Sequence, residues 1–594
     1  MRSSPSTYAV ALILQFVIHP QCVLAVNLGA CCGKLQGPPP PNITDLPPGP
    51  GPPPLNVSYE QCLMVCGAGM GDVNWQDFSQ NFGAWFLPWI SLMFQIPFGA
   101  EQPLDDALSF FITMGTPALA AYSLQITHLN KYWIHREFLD VKYANSKLIP
   151  TALAAFHHIP VRIEHQPPFL HSLIVLPEND AFWSHLAAAN KTRRWSVPLV
   201  MSYILVIFSV ILTTIGPLTS PPGSTGYSIA AVWTFLLPLV IGWLHVGCEP
   251  EPSHLRKSLE AANQKSWVST GCRDHPTPTN IMAIEFAKAD AVASKDELKP
   301  VPVFNYARAF STPMVAEVVL GLMKNAAENA KQKLPVGSSV GGGIPGWVES
   351  DNGQIYPGNR AGTTAEVIDY CTRVLQQPER NRDSITPLDI QSIEMTDATY
   401  PPHGYGLITP SRWAPGIWRR VFIASTLALG LQWGTAGAAV FIHYKSPPVG
   451  LGCRSLSFLL YAMTGTLSFF LFLASSILAH MSRPPQGRMP TQSRSRTCWT
   501  AGANVCRWLG KFTAIASAVG IMLICFFIVT GAFDSCFCNS TTFDRGRQLI
   551  IIDGMNAVPN PSLLFWIGGL VVAFLTSILF GFSMYMGLPP RRYE

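Results

Sequence analysis

Apolar runs without Asp, Glu, Lys or Arg recur along the chain, at 82–100, 107–126, 196–217, 227–247, 421–443, 455–479, 512–533 and 561–588. Each holds about twenty residues or more, which at ~1.5 Å per helical residue spans a hydrocarbon core of ~30 Å. The polar stretches between them differ in charge. Lys131, Arg136 and Lys142 follow the second run, and Lys191, Arg193 and Arg194 precede the third. Arg256, Lys257 and Lys265 follow the fourth, and Arg412, Arg419 and Arg420 precede the fifth. Arg483, Arg488, Arg494, Arg496, Arg507 and Lys511 fill the link after the sixth, and the chain ends in Arg591 and Arg592. The alternate links are poor in basic residues, with Lys445 and Arg454 in one and Arg545 and Arg547 in another. Basic residues near span ends mark the cytoplasmic side, so the first set is expected inside.

That bias predicts an all-α polytopic membrane protein with seven transmembrane helices, or eight if both opening runs cross. The crossing is assigned to 107–126, which leaves Glu101, Asp105 and Asp106 outside and puts Lys131 directly inside. The run 82–100 is then an interfacial or re-entrant helix. Trp85, Trp89, Phe82, Phe86, Phe94 and Phe98 suit the headgroup layer, and Pro88 and Pro97 interrupt a straight span. A third alternative keeps the N-terminal segment as an uncleaved anchor and inverts the head.

The N-terminus has Arg2, an apolar stretch from Ala9 to Ile18, and Val23-Leu24-Ala25 as a cleavage site, which predicts a signal peptide over 1–25. The expected organisation is a luminal head at 26–80, the opening pair at 81–126 and a cytoplasmic loop at 127–195. A hairpin at 196–247, a long, partly helical cytoplasmic segment at 248–417, four spans at 418–588 and a tail at 589–594 follow. The head is proline-rich, which favours an extended stalk. Cys31, Cys32, Cys62 and Cys66 are expected to form two disulfides of open connectivity. On the outer loops, Cys453 is a partner for Cys536 or Cys538. The glycosylation candidates are Asn42, Asn56 and Asn539.

Composition supports the membrane class: the 594 residues are 48% hydrophobic and 13% charged, against about 25% charged in soluble domains. The net charge of +5 argues against nucleic acid as a partner; membrane lipid is the expected one.

Candidate chemistry is sparse. His157, His158, His165 and His171 cluster in sequence, and imidazole is a common metal ligand. Two of them are adjacent and no i, i+4 pair exists, so surface histidines are the favoured reading and no metal or cofactor is expected. The glycine-rich stretch 337–346 lacks the lysine of a phosphate loop and reads as a linker. No catalytic motif supports an enzyme. In 248–417, Val315, Val318, Val319 and Leu322 share one helical face, and Thr363 with Glu366 opens a second helix with a capping box. The spans hold no ionisable carboxylate or amine, which lowers the odds of ion-coupled transport. Uncharged polar groups are available at Gln432, Trp433, Thr464, Thr466, Ser475 and Ser476. Gly430 and Gly434 form a small-xxx-small pair expected to pack closely.

The stretches "GAWFLPWISL", "GTPALAAYSLQITHLN", "FNYARAF", "LQWGTAGAA" and "VGLGCRSLSFLLYAMTGTLSFFLFLASSILAH" resemble a group of uncharacterised multi-pass membrane proteins of filamentous fungi. The resemblance implies a fungal endomembrane or cell-surface protein, with the plasma membrane as the expected destination. It implies no activity and carries over no site residue. The expected function is a non-enzymatic sensor or scaffold whose 248–417 segment engages cytosolic partners. Alternatives are a transporter or channel for uncharged or lipid-like solutes and, last, an enzyme built on the histidine cluster.

Overall fold

The structure is a computed structural model. It describes residues 55–66, 79, 82, 86–94, 102–163, 170, 173–176, 179–189, 197–219, 224–246, 252–268, 277–278, 283–287, 292, 294–331, 412–446, 449–483, 494–533, 535–539, 543, 548–551 and 561–586. The expected signal segment, Cys31, Cys32, Asn42, His165, His171, the stretch 332–411 and the tail 589–594 lie outside the described residues.

Strand β1 (Leu55–Ser58) leads into α1 (Tyr59–Cys66), and α2 (Leu87–Met93) follows. Helices α3 (Pro103–Gly115) and α4 (Pro117–Phe138) are separated by one residue. Next come α5 (Leu148–Ala155), β2 (Val161–Ile163), α6 (Asp180–Ala189), α7 (Val197–Thr219), α8 (Ser224–Trp233) and α9 (Leu236–Val246). The middle carries α10 (Pro252–Gln264), β3 (Trp267–Val268), β4 (Thr277–Pro278) and β5 (Ile284–Phe286). Two 3₁₀ turns, Lys295–Leu298 and Pro302–Phe304, lead into α11 (Asn305–Arg308) and α12 (Ser311–Lys331). The last third holds α13 (Ile417–Lys445), α14 (Cys453–Ser482), α15 (Arg494–Val529), α16 (Cys536–Asn539), β6 (Gln548–Ile551) and α17 (Pro561–Met586).

Among the described residues, five helices are long and apolar enough to cross a membrane: Tyr227–Val246, which joins α8 to α9, then α13, α14, α15 and α17. Their outer faces are apolar. On α14, Leu460, Met463, Leu467 and Phe470 are exposed while Phe458, Tyr461, Ala462, Phe469 and Phe472 are buried. On α17, Val571, Val572, Leu575, Ile578 and Leu579 are exposed. Apolar surface on this scale belongs against lipid rather than water. The protein is a helical membrane protein.

The run 107–126 is not one straight helix. It is shared between α3 and α4, whose axes bend by 104° at Thr116. The cause is local: Pro117 has no N–H to donate and its ring collides with the carbonyl four residues back. Proline also disfavours helical backbone at the residue before it, and Thr116 sits at φ −140°, ψ 72°.

Helix α14, about 45 Å long at its thirty residues, serves as a ruler for the bundle. At its N-terminal end Cys453 is disulfide-bonded to Cys538 of α16, and β6 nearby pairs antiparallel with β1, Leu55 opposite Ile551. At its C-terminal end Arg483 pairs with Glu297. These are called the head end and the charged end. The α3–α4 apex lies beside Tyr461 and Ala462. The Tyr461 hydroxyl donates to the Met114 carbonyl at 2.7 Å, and Gln432 accepts from Ala118 N at 3.0 Å while donating to the Ala462 carbonyl at 2.9 Å. Both arms return towards the charged end. Asp105 of α3 pairs with Lys299, and Asn130 of α4 donates to the Ala309 carbonyl at 3.1 Å. The pair is therefore a V with its apex inside the bundle.

Two other expectations change shape. Helix α2 covers seven residues of the run 82–100, and Phe86 and Trp89 are buried in the main core rather than turned outward. The loop 127–195 and the first half of 248–417 are not separate segments. Phe156, Phe182, Trp183, Leu259, Ile284 and Val319 share a second core at the foot of α4, and β2 pairs with β5, Val161 opposite Phe286. Val315 and Val319 of the expected amphipathic face are buried there, with Val318 and Leu322 partly buried beside them.

Candidate functional site

The segment 294–310, "SKDELKPVPVFNYARAF", reads as an ordinary polar-to-apolar loop, yet it threads into the bundle between the arms of the V. Ser294 starts it with a capping box: its side chain accepts from Asp296 N and its N–H donates to Glu297 Oε1 at 3.2 Å. Pro300 and Pro302 then hold the backbone out of a long helix. Val301, Val303, Phe304, Tyr306, Ala307, Ala309 and Phe310 all join the main core. This stretch is here called the strap.

A polar stripe of α4 receives it. Ser123, Thr127 and Asn130 are four and three residues apart and so share one helical face. Ser123 Oγ donates to the Val303 carbonyl at 2.7 Å, Asn305 Nδ2 to Thr127 Oγ1 at 3.1 Å, and Asn130 to Ala309 as above. From the other side, Ser476 Oγ donates to the Tyr306 carbonyl at 2.9 Å. Buried strap carbonyls need such partners, because an unpaired amide in an apolar interior costs several kcal/mol in the order of 2–7.

Charges lock the strap. Asp296 is fully buried, accepting from Lys511 Nζ at 2.5 Å and from the Tyr306 hydroxyl at 2.6 Å. Glu297 pairs with Arg483, and Lys299 with Asp105. Arg308, buried as well, donates to the carbonyls of His157, Glu297 and Lys299 at 2.8, 2.5 and 2.8 Å and to Asn305 Oδ1 at 2.6 Å. Burial lowers its guanidinium to about 10, with Glu297 and then Asp296 opposing the shift, so it stays charged at neutral pH. Burial raises the Tyr306 phenol, and Asp296 beside it raises it further. The strap thus ties α3, α4, α14 and α15 together at the charged end.

Lys511, just outside the expected span 512–533, lies within the longer apolar helix Thr497–Val529, and its counter-charge comes from a loop residue 215 positions away. A span-by-span scan of the sequence does not see such a pair. The weak signal available was "KDELKPVPVF", a charged turn followed by apolar residues without a helical period.

The histidines are corrected too. His157 and His158 are buried, not on the surface. His158 Nε2 lies 3.2 Å from the Val246 carbonyl. Burial holds the His158 imidazole down at about 3, with Arg308 adding to the effect, and burial with His158 beside it lowers His157 well below its usual value. Both are therefore neutral parts of the junction between the second core at the foot of α4 and the strap. Among the described residues, no group of three or more His, Cys, Asp or Glu could hold a metal ion.

No protein-family model, curated protein or solved structure matches this chain.

Most of the uncharged polar groups singled out in the spans bond between or within helices. Gln432 bridges α4 and α14, and Trp433 Nε1 donates to Thr466 Oγ1 at 3.1 Å. Thr464 Oγ1 bonds to the Leu460 carbonyl at 2.8 Å, and Ser475 Oγ to the Ala503 carbonyl at 2.8 Å. Of the glycine pair, only Gly434 packs closely: a Cβ there would lie 2.4 Å from Thr576 Oγ1, whereas at Gly430 nothing lies within 4 Å. Cys453 is joined to Cys538, and Cys536 is disulfide-bonded as well. Cys498, Cys506 and Cys525 are free.

Proposed function

We propose that this protein is a carrier or channel for small uncharged solutes, held closed at its charged end by the strap. One observation carries the reading: a helix broken inside the bundle has both arms leading to the same end, and an ion-paired segment fills the space between them. Discontinuous helices inside membrane bundles are the usual construction of solute sites, because irregular backbone is tolerated there only where protein or a cavity covers it. The ion pairs Glu297–Arg483 and Lys299–Asp105 suit a closure that opens, since Arg483, Lys299 and Asp105 are partly exposed at the rim while Glu297 is buried behind them.

The test is flux. Proteoliposomes of the wild type and of Arg483→Ala are loaded with buffer and challenged with glycerol, erythritol and urea. The variant, with its rim pair broken, is expected to pass at least one of these about tenfold faster than the wild type. Rates equal to empty liposomes for both proteins would end the carrier reading.

The orientation that fits this reading puts the head end outside and the charged end in the cytosol, with seven net crossings. The sequons Asn56 and Asn539 belong to β1 and α16, both at the head end. Both arms of the V lead towards the charged end, so in this orientation the V is re-entrant. A secretory-pathway membrane, with a cleaved leader, is the matching location. On single-sequon variants, glycosidase treatment should shift the Asn539 band. A sequon engineered into 337–346 should stay bare. The opposite pattern would invert the orientation.

A second reading, a sensor or scaffold, is favoured by the folded lobe at the charged end, with its own core. It predicts solute-tight proteoliposomes for wild type and strap variants alike.

A further inference from the structure

Helix α15 turns one face to α14. The Ala503 carbonyl accepts from Ser475 Oγ at 2.8 Å, and the Gly510 carbonyl accepts from Ser468 Oγ at 2.9 Å. Arg507 lies four residues after Ala503 and three before Gly510, on the same face. It is 5% exposed. Its Nε and Nη1 are covered and have no hydrogen-bond partner, and among the described residues it forms no ion pair. Each carboxylate of the strap network is already taken: Asp105 by Lys299, Glu297 by Arg483, and Asp296 by Lys511 and Tyr306. Arg507 is nonetheless close enough to act on that network. Burial and Asp296 raise the Tyr306 phenol, and the Arg507 charge opposes them. A sheltered guanidinium with empty donors is costly unless an anion answers it.

The outward face of α15 gives that anion an approach. Val505, Trp508, Leu509 and Phe512 recur at helical spacing and are 49 to 72% exposed. Trp508 stands next to the guanidinium: its ring centroid lies 5.9 Å from Arg507 Cζ and 5.5 Å from Lys511 Nζ. With Nε and Nη1 covered, Nη2 is the Arg507 nitrogen left to meet the surface. In the planar fork Nη2 shares one edge with Nε and the other with Nη1. An oxyanion that reaches Nη2 therefore takes up one of the empty donors in a bidentate pair. The depth is that of lipid headgroups. The stretch 512–529 of α15 measures about 27 Å, close to the ~30 Å hydrocarbon core, and Arg507 stands about 7 Å before it.

We infer that Arg507 and Trp508 form a binding site for an anionic phospholipid, held through its phosphate at the charged end. Arginine matches phosphate oxygens in a fork, and an exposed indole suits the boundary between headgroup and acyl chain. Leu509 and Phe512 then lie along the chains. Basic residues at a membrane surface draw anionic lipids. A choline lipid carries its own cation, which Arg507 and Lys511 repel. A free phosphate would use the guanidinium but leave the apolar face unused. The inference does not rest on the carrier reading, since it needs only that the charged end meet the headgroup layer.

The experiment is native mass spectrometry of the detergent-purified full chain, titrated with phosphatidylglycerol, with phosphatidylcholine and with inorganic phosphate. A saturable phosphatidylglycerol adduct is expected on the wild type, about tenfold tighter than any phosphatidylcholine adduct. Arg507→Gln should weaken it about tenfold, the effect of losing a charge-assisted hydrogen bond. Arg419→Gln, which removes an exposed basic residue at the same end, should leave it unchanged. In lipid-free detergent Arg507→Gln should melt no lower than the wild type, because an unanswered charge has been removed. Lost binding would then not reflect a damaged fold. If Arg507→Gln fails to fold, Arg507→Lys decides: it keeps the charge but not the fork, and severalfold weaker binding is expected. Undiminished binding by the Arg507 variant, or equal loss in Arg419→Gln, would overturn the inference. Equal affinity for the two lipids would overturn it as well. Inorganic phosphate bound as tightly as phosphatidylglycerol would show a site for a free anion and end the lipid assignment.

Discussion

Replacing Asp296 by alanine should destabilise the protein by about 3–5 kcal/mol, the range for removing one partner of a buried ion pair. Lys511, only 8% exposed at its side chain, would keep its charge among apolar neighbours with no carboxylate at 2.5 Å. The Tyr306 hydroxyl would lose its acceptor at the same time. The measurement is thermal unfolding of the detergent-purified protein, with protease cleavage within 294–310 as a local readout. Asp296→Ala should melt far below the wild type and expose the strap to cleavage. Adding Lys511→Met should recover much of the loss, because removing both charges leaves none stranded. If the single variant melts with the wild type, the strap is not anchored by this pair.

Gly115→Val should be nearly as damaging, for a steric reason. A Cβ at Gly115 would lie 1.8 Å from the Ala514 carbonyl oxygen and 2.9 Å from Ala518 N, both backbone atoms of α15. A flexible side chain can give way; a helix backbone cannot without moving the whole element. Overpacking of this kind costs typically about 1–3 kcal/mol, and here the upper end or more is expected because backbone must shift. The result should be low folded yield and loss of the monodisperse peak in size-exclusion chromatography. Gly430→Ala is the matched control, since nothing lies within 4 Å of the added carbon. Equal behaviour of the two variants would mean that the apex does not pack against α15 as described.

Much of the helical framework was legible because apolar runs in a membrane protein have few alternatives. A charge-free run such as 561–588 must satisfy its own backbone, and a helix does so locally. The pairing of Cys453 with one of Cys536 and Cys538 was legible for a similar reason, since short outer loops bring few cysteines into reach. The break at Thr116 was written in Pro117, yet the run around it was apolar enough to pass for a span. There the hydrophobic count outvoted a local steric rule that in fact decided the geometry. The second opening run therefore differs from its expected form at a single dipeptide, and the arms of the V follow from it.

The strap was not legible. "VPVFNYARAF" has no helical or strand period, and its burial depends on α4 and α14 supplying donors at Ser123, Asn130 and Ser476. Nor could the sequence distinguish the unpartnered hydroxyls of Ser109 and Thr113 from the back-bonded ones of Thr426 and Thr466, which are the same residue types on similar helices.

By itself the sequence determined which segments are helices, where one of them breaks, and which links are rich in basic residues. These depend on composition and on neighbours a few positions away. Only the tertiary structure decided that Asp296 meets Lys511, that His157 and His158 are buried, and that one loop closes the charged end. Each of those outcomes joins residues far apart in the chain, and side-chain partnership at such separations is set by how the helices pack.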